Sequence, residues 1–453
     1  MPEMTTGGQA PITAEIDLAD IDLADFNLFD PAVQQCPHAY YAKMQADQPV
    51  FLVDVMGSTM HLITRYEDAL EVVRDTDTFS SQFDATGSAA SGELHDRMKA
   101  LYEAEGGYAR VSTMLTADAP EHTRYRRLVS KAFTPKVIND LEPVIREITA
   151  GLIDAWIESG ADGIEFVEQF AVPLPVTVIA KALNVPDDRL ADFKRWSDAS
   201  IAGIGTNISI DARVEAEREV IAYQHYFAEQ INLRRTEPQD DILTNLLNAR
   251  TDKNQDPDLP DELLTMPEML GIIQQLLVAG NETTTKMLTE MMRLLGENPE
   301  QFAQLRADPA RARLVVEEAL RLSTPTQGMF RVVTRDTTVN GVEITAGSRV
   351  VVMFAAANRD AEVFDEPDAF DPDRDGLNNH IAFGKGIHYC LGAALSRLEG
   401  RVAAEEFASR ISEFTLDDSN EFAYHPSFML RGLTYLNMHF VTSGANEEHE
   451  RRT

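Results

Sequence analysis

Cys390 stands in the run Phe383-Gly384-Lys385-Gly386-Ile387-His388-Tyr389-Cys390-Leu391-Gly392 and is one of only two cysteines in the chain. A thiolate is a strong soft ligand for iron, and a buried one needs backbone N–H donors and a metal to stay charged. Gly386 and Gly392 keep side chains away from the sulfur, so amides can turn toward it and a planar ring can lie close. The spacing therefore reads as a metal–thiolate loop. Two plainer readings compete with it. A lone cysteine commonly packs as a small hydrophobe, and His380, His388 and Cys390 could be part of a zinc site. Structural zinc takes four ligands, however, and Cys36 lies too far along the chain to complete a short-spaced set.

A second group is Ala279-Gly280-Asn281-Glu282-Thr283-Thr284. It sets a carboxylate beside a hydroxyl, next to a mid-helix glycine that costs about 1 kcal/mol relative to alanine. Such a pair can pass protons into a dry pocket, the plainer alternative being a kink with Glu282 reaching solvent. His122 and Arg126 lie four apart on one helical face, and Arg331 and His388 add two further cations. Glu318 and Arg321 have the i,i+3 spacing common on helix surfaces, worth about a few tenths of a kcal/mol. Arg374 follows in Phe370-Asp371-Pro372-Asp373-Arg374.

These residues must be positioned by a mostly helical chain. A long helix opens at Thr265-Met266-Pro267-Glu268, where Thr265 and Glu268 fit a capping box, and closes near Gly296 and Pro299. It is apolar over most of its circumference between Leu270 and Val278, as a central buried helix should be. Helical periodicity runs from His122 to about Arg250, with breaks near Pro173–Pro175, Pro186 and Gly203–Asn207. Residues 50–53 and 60–63, with Gly57 between, read as a hairpin followed by a helix from about Glu67. Asn340-Gly341 marks a second hairpin, Val350–Val352 a strand, and Leu391 to Ile411 a helix. Residues 79–119 read as a long functional loop with a helical piece near 94–104. The run 251–260 reads as a surface connection. Residues 1–27 form an acidic arm with a doubled Ile-Asp-Leu-Ala-Asp, 28–443 the main domain, and 444–453 a flexible tail.

From Pro120 to Gly392, in this order, the motifs resemble those of the bacterial cytochrome P450 monooxygenases. The resemblance implies the mainly α fold with a small β portion of that family, with a long central helix over a b-type haem, iron protoporphyrin IX. Cys390 would be the proximal ligand, pushing electron density toward iron and favouring O–O cleavage. Phe383, Gly386 and Gly392 would shape its loop, and Ala279 and Gly280 the distal groove where O2 sits. Thr283 would hydrogen-bond the oxygen or a water, and Glu282 would relay protons. Glu282 replaces the aspartate of many relatives, keeping the acid and lengthening its reach. His122, Arg126, Arg331 and His388 match positions that hold haem propionates. Glu318, Arg321 and Arg374 would form a buried structural triad pinning the irregular stretch before the cysteine loop.

The implied reaction inserts one atom of O2 into a C–H bond of a small apolar substrate of terpenoid, steroid or aromatic type. Candidate pocket residues are Val111, Leu115, Leu276, Gln327, Met329 and Met429. Among 453 residues no flavin or iron–sulfur pattern occurs, so electrons are expected from a ferredoxin and its reductase. The net charge of −34 disfavours nucleic acid and anionic membrane surfaces. Against that background Arg124, Arg126, Arg127, Lys131, Lys136, Lys385, Arg397 and Arg401 suggest a docking patch for an acidic partner. Without a signal segment or a long apolar run, a cytoplasmic protein is expected. A peroxide-driven oxygenase or a haem sensor would keep Cys390 but have less use for Glu282 and Thr283.

Overall fold

The computed structural model describes residues 18–55, 58–82, 92–204, 206, 208–250 and 262–443. The expected turn at Gly57, the beginning of the acidic arm, the connection 251–260 and the tail 444–453 therefore lie wholly outside the described residues. So do parts of the long loop and of the Gly203–Asn207 turn.

The helix Met266–Glu297 organises the molecule. Its start is set by a complete capping box: the Thr265 hydroxyl accepts from the Glu268 amide, and the Glu268 carboxylate accepts from the Thr265 amide. Its end is set by Asn298, directly before the proline that opens the helix Pro299–Ala307. At about 1.5 Å per residue it crosses the whole fold. Its N-terminal half, with Leu270, Ile273 and Leu277, packs in a core shared with the helices Leu190–Ile201 and Ile210–Thr236. Met287, Met291 and Leu295 pack in another core, shared with Glu142–Ser159, Ala312–Ser323 and Ala393–Arg410. Between these halves Ala279 is exposed and Thr283 half-buried, one turn apart on the same face. A helix buried before and after this point is thus left uncovered there by protein.

The β portion is small and peripheral. A five-stranded sheet runs in the order Val50–Val55, Ser58–Ile63, Arg349–Val352, Met329–Val333, Phe79–Ser80. Thr337–Val339 and Val342–Ile344 form the expected hairpin, with Asn340 and Gly341 both at positive φ. A three-stranded sheet of Gly163–Glu165, Asn437–Thr442 and Ile411–Leu416 was not anticipated. Gly163–Glu165 is three residues long and gains its partners from the far end of the chain, so local alternation carries no sign of it. The described part of the acidic arm forms two short 3₁₀ turns. Phe26 from this segment lies against Tyr40 at 5.4 Å and Phe51 at 5.9 Å, ring centre to ring centre.

Candidate active site

The cysteine loop is shaped by glycines in left-handed conformation. Gly384 and Gly386 have φ of +68° and +72°, and a Cβ on Gly386 would sit 3.0 Å from the Val73 carbonyl. The loop closes when the Cys390 N–H donates to the Phe383 carbonyl at 2.9 Å. At the sulfur, burial pushes the thiol up, while the N–H groups of Gly392 and Ala393 and the charges of Arg126 and Arg397 pull the other way. Burial outweighs these donors and cations and keeps the thiol protonated in their company alone, so a bound metal cation would be needed to hold the thiolate. The zinc alternative loses its ligands to other partners. His380 bonds Glu317 at 2.8 Å and His388 bonds Ser81 at 2.9 Å. No group of three His, Cys, Asp or Glu residues suited to a metal ion occurs among the described residues.

Beside this loop the structure brings together the two histidines and two arginines expected around a cofactor. The His122 and His388 rings lie 4.2 Å apart. Arg126 donates to the Tyr389 carbonyl at 2.7 Å. Arg331 is 5% exposed, and its Nε has no hydrogen-bond partner. Burial, opposed by Asp118, brings the Arg331 guanidinium down to about 10. Burial and then the charges of His122, Arg331 and Arg126 hold His388 at about 3. A buried guanidinium with an unpaired Nε, beside further N–H donors, calls for an anionic ligand, and two carboxylates next to a sulfur donor are what haem offers. The donor set fits the group. Ser81, Asp118 and the Met114 backbone support His388 and its neighbours, and none was legible beforehand because they act through tertiary contacts.

The central helix meets the cysteine-loop helix where the Thr284 hydroxyl donates to that of Ser396 at 3.3 Å. The Thr283 hydroxyl donates to the Ala279 carbonyl at 2.9 Å. Gly280 corrects an expectation. A Cβ there would meet Ile179 at 3.3 Å, so this glycine permits close packing on the helix Pro173–Ala182 and does not open the face carrying Ala279 and Thr283. One residue is about 100° of helix rotation, enough to turn it away. Glu282 is buried and paired with Lys286 at 2.8 Å and Lys194 at 3.7 Å. Burial raises its carboxyl, but Lys286 and Lys194 outweigh this and keep it below the usual range. The i,i+4 spacing of Glu282 and Lys286 was the signal that would have found this pair.

The expected triad is assembled. Glu318 accepts twice from Arg321 at 2.7 Å and once from Arg374 at 3.1 Å. The two arginines also donate to carbonyls of Asn358, Asp365, Glu366, Pro367 and Ala369, pinning the irregular stretch.

The pocket candidates divide. A Cβ on Gly271 would lie 3.8 Å from the Val111 carbonyl, so Val111 borders the central helix; Leu115 is exposed and Leu276 buried beside Met114. Met329 is half-buried at the head of its strand. Gln327 spends its amide on the carbonyls of Ser323 and Thr324, which braces the turn. Met429 packs with Phe428 in the cluster that receives the N-terminal segment. The docking patch is also smaller than expected. Arg124 is buried against Glu268 at 2.7 Å, Arg397 is held by Glu317, and Arg401 pairs with Glu142 and Glu405. Formal charge does not reveal such partners. Arg127, Lys131 and Lys136 remain exposed, and Arg126 and Lys385 are half-buried.

Comparison with known proteins agrees with this geometry. The family model for cytochrome P450 matches residues 209–429. Cytochrome P450 107B1 of Saccharopolyspora erythraea is 36% identical over 90% of this chain and 96% of its own. The vitamin D(3) 25-hydroxylase of Pseudonocardia autotrophica is 33% identical over 90% of this chain and 94% of its own. The solved structure of CYP109E1 from Bacillus megaterium in complex with corticosterone superposes with a TM-score of 0.76, at 32% identity, over 90% of this chain and 99% of that one. The chain belongs to the cytochrome P450 family and is a monooxygenase. No helix among the described residues is long and apolar enough to cross a membrane.

Proposed function

We propose that the protein holds a b-type haem through Cys390 and oxidises a C–H bond of an apolar, multi-ring small molecule, with electrons from a ferredoxin-type donor. The observation carrying this reading is the convergence of His122, Arg126, Arg331 and His388 on the loop that presents the Cys390 sulfur to two backbone amides. Bound haem supplies the activation of dioxygen.

The chain's own residues do the rest. His122, Arg126, Arg331 and His388 bind and orient the anionic edge. Thr283 has committed its proton to the Ala279 carbonyl, so its oxygen is left to accept a hydrogen bond from a water or a protonated group in the cleft. Glu282 moves protons inward from the side of Lys194, whose other partner is the partly exposed Asp198. Val111, Leu115, Leu276 and Met329 form the apolar walls and keep the cleft dry. A steroid-like substrate class is supported by the names of two similar proteins, a vitamin D(3) hydroxylase and a protein solved with corticosterone.

Arg126, Arg127, Lys131, Lys136 and Lys385 form the basic surface for an acidic electron donor on a chain of net charge −34. The test compares turnover of a steroid panel with a ferredoxin and reductase against turnover with peroxide. Turnover with the ferredoxin system is expected to exceed that with peroxide, and the reverse would remove the donor from the proposal. Arg127→Glu is expected to slow reduction severalfold at low salt and less at high salt, because exposed charges are screened over about 8–10 Å. Equal slowing at every ionic strength would reject the docking role.

A further inference from the structure

Arg397 counts as a surface charge when the sequence is read, yet every part of its guanidinium is engaged. Nε and Nη2 donate to the two oxygens of Glu317 at 2.5 and 2.9 Å. Nη1 donates to the Tyr389 hydroxyl at 2.9 Å. The guanidinium carbon lies 4.5 Å from the centre of the Phe383 ring. Phe383 and Tyr389 bracket the cysteine loop: the Phe383 carbonyl receives the Cys390 N–H, and Tyr389 is the residue before Cys390. Glu317 Oε2 is shared with His380 Nε2 at 2.8 Å, and His380 stands three residues before Phe383. Neighbouring carboxylates on one helix thus serve two anchors. Glu318 holds the stretch up to Arg374, and Glu317 holds His380 and Arg397 on the two sides of the loop.

We propose that Arg397 is a positioning residue that clamps both flanks of the Cys390 loop and, balanced by Glu317, sets the reduction potential of the haem. A fixed cation beside the ligand loop favours the reduced state, which carries one more negative charge, and Glu317 offsets part of that effect. The planar fork is essential, because it satisfies a carboxylate, a hydroxyl and a ring face at once. Lysine offers a point charge without that geometry.

The inference rests on Cys390 holding haem, which the carbon monoxide spectrum of the unaltered protein tests separately. The decisive experiment is spectroelectrochemical titration of the holoprotein and of Arg397→Gln, Glu317→Gln and the double variant. Arg397→Gln should move the midpoint potential to more negative values and Glu317→Gln to more positive ones. The double variant should return toward the unaltered protein. Unchanged potentials, or shifts of the same sign in both single variants, would overturn the proposal. If Arg397→Gln fails to retain haem, Glu317→Gln alone decides: an unchanged potential there is fatal to the idea. Arg397→Lys provides the geometric arm. It should keep most of the potential while increasing the fraction of protein whose carbon monoxide complex has lost its thiolate character. A thiolate fraction equal to that of the unaltered protein would remove the clamp from the account.

Discussion

Thr283 and Glu282 are neighbours in sequence and diverge in space. Thr283 stays on the uncovered face with Ala279, while Glu282 turns into a buried pair with Lys286. The types and order of these residues were legible, because a mid-helix glycine followed by β-branched threonines contradicts helix preference. What surrounds them was legible only in part. Lys286 was available from i,i+4 spacing, whereas Lys194 reaches Glu282 from another helix. Gly280 faces Ile179 for a related reason, since adjacency in a motif is not adjacency on a helix face. Thr283→Ala is expected to leave haem content unchanged and to divert consumed electrons into peroxide. Product per electron should fall severalfold, measured as product formed against reductant and peroxide. Unchanged coupling would remove Thr283 from proton control.

The central helix is the element on which these residues depend, and its length, cap and end were legible from Thr265, Glu268 and Pro299. The contacts that fix its rotation were not. The stem of Lys286 presses on Gly432 of the C-terminal segment, where an added Cβ would fall 2.2 Å from Lys286 Cγ and 2.9 Å from its Cβ. The Cγ and Cβ belong to the base of the side chain, which cannot swing away without moving the helix. Gly432→Ala should therefore cost about 1–3 kcal/mol through overpacking. It should also disturb the Glu282 pair, since Lys286 must move. Urea unfolding measures the first effect, and product per electron measures the second. A variant as stable and as well coupled as the unaltered protein would show that the C-terminal segment does not set the rotation of the helix.

Across the whole molecule, charge counting gave the acidic balance but not its distribution into buried networks. Around the N-terminal helix His38–Asp47, Arg431 holds the carbonyls of Gln34 and Gln35 at 2.6 and 2.9 Å. His38 Nδ1 is buried there without a hydrogen-bond partner. Burial, followed by the charges of Arg359, Arg431 and Arg293, holds His38 well below its ordinary range. The unfolded chain takes up this proton near pH ~6.5 and the folded chain does not. The stability contribution is thus complete above that pH and is lost as pH falls below it, by at most about 1.4 kcal/mol per pH unit. His38→Gln should reduce the loss of stability between pH 7 and pH 5 in urea unfolding, and an unchanged loss would exonerate His38. The loop motif, the triad and the set of His122, Arg126, Arg331 and His388 could be read from the chain because each pairs demanding residue types with a set order. Their common purpose rests on Cys390. The most direct measurement is the spectrum of the reduced protein with carbon monoxide, for the unaltered chain and for Cys390→Ser. The account predicts a thiolate-type shift of the Soret band that Cys390→Ser abolishes. Absence of that shift in the unaltered protein, or its persistence in the variant, would contradict it.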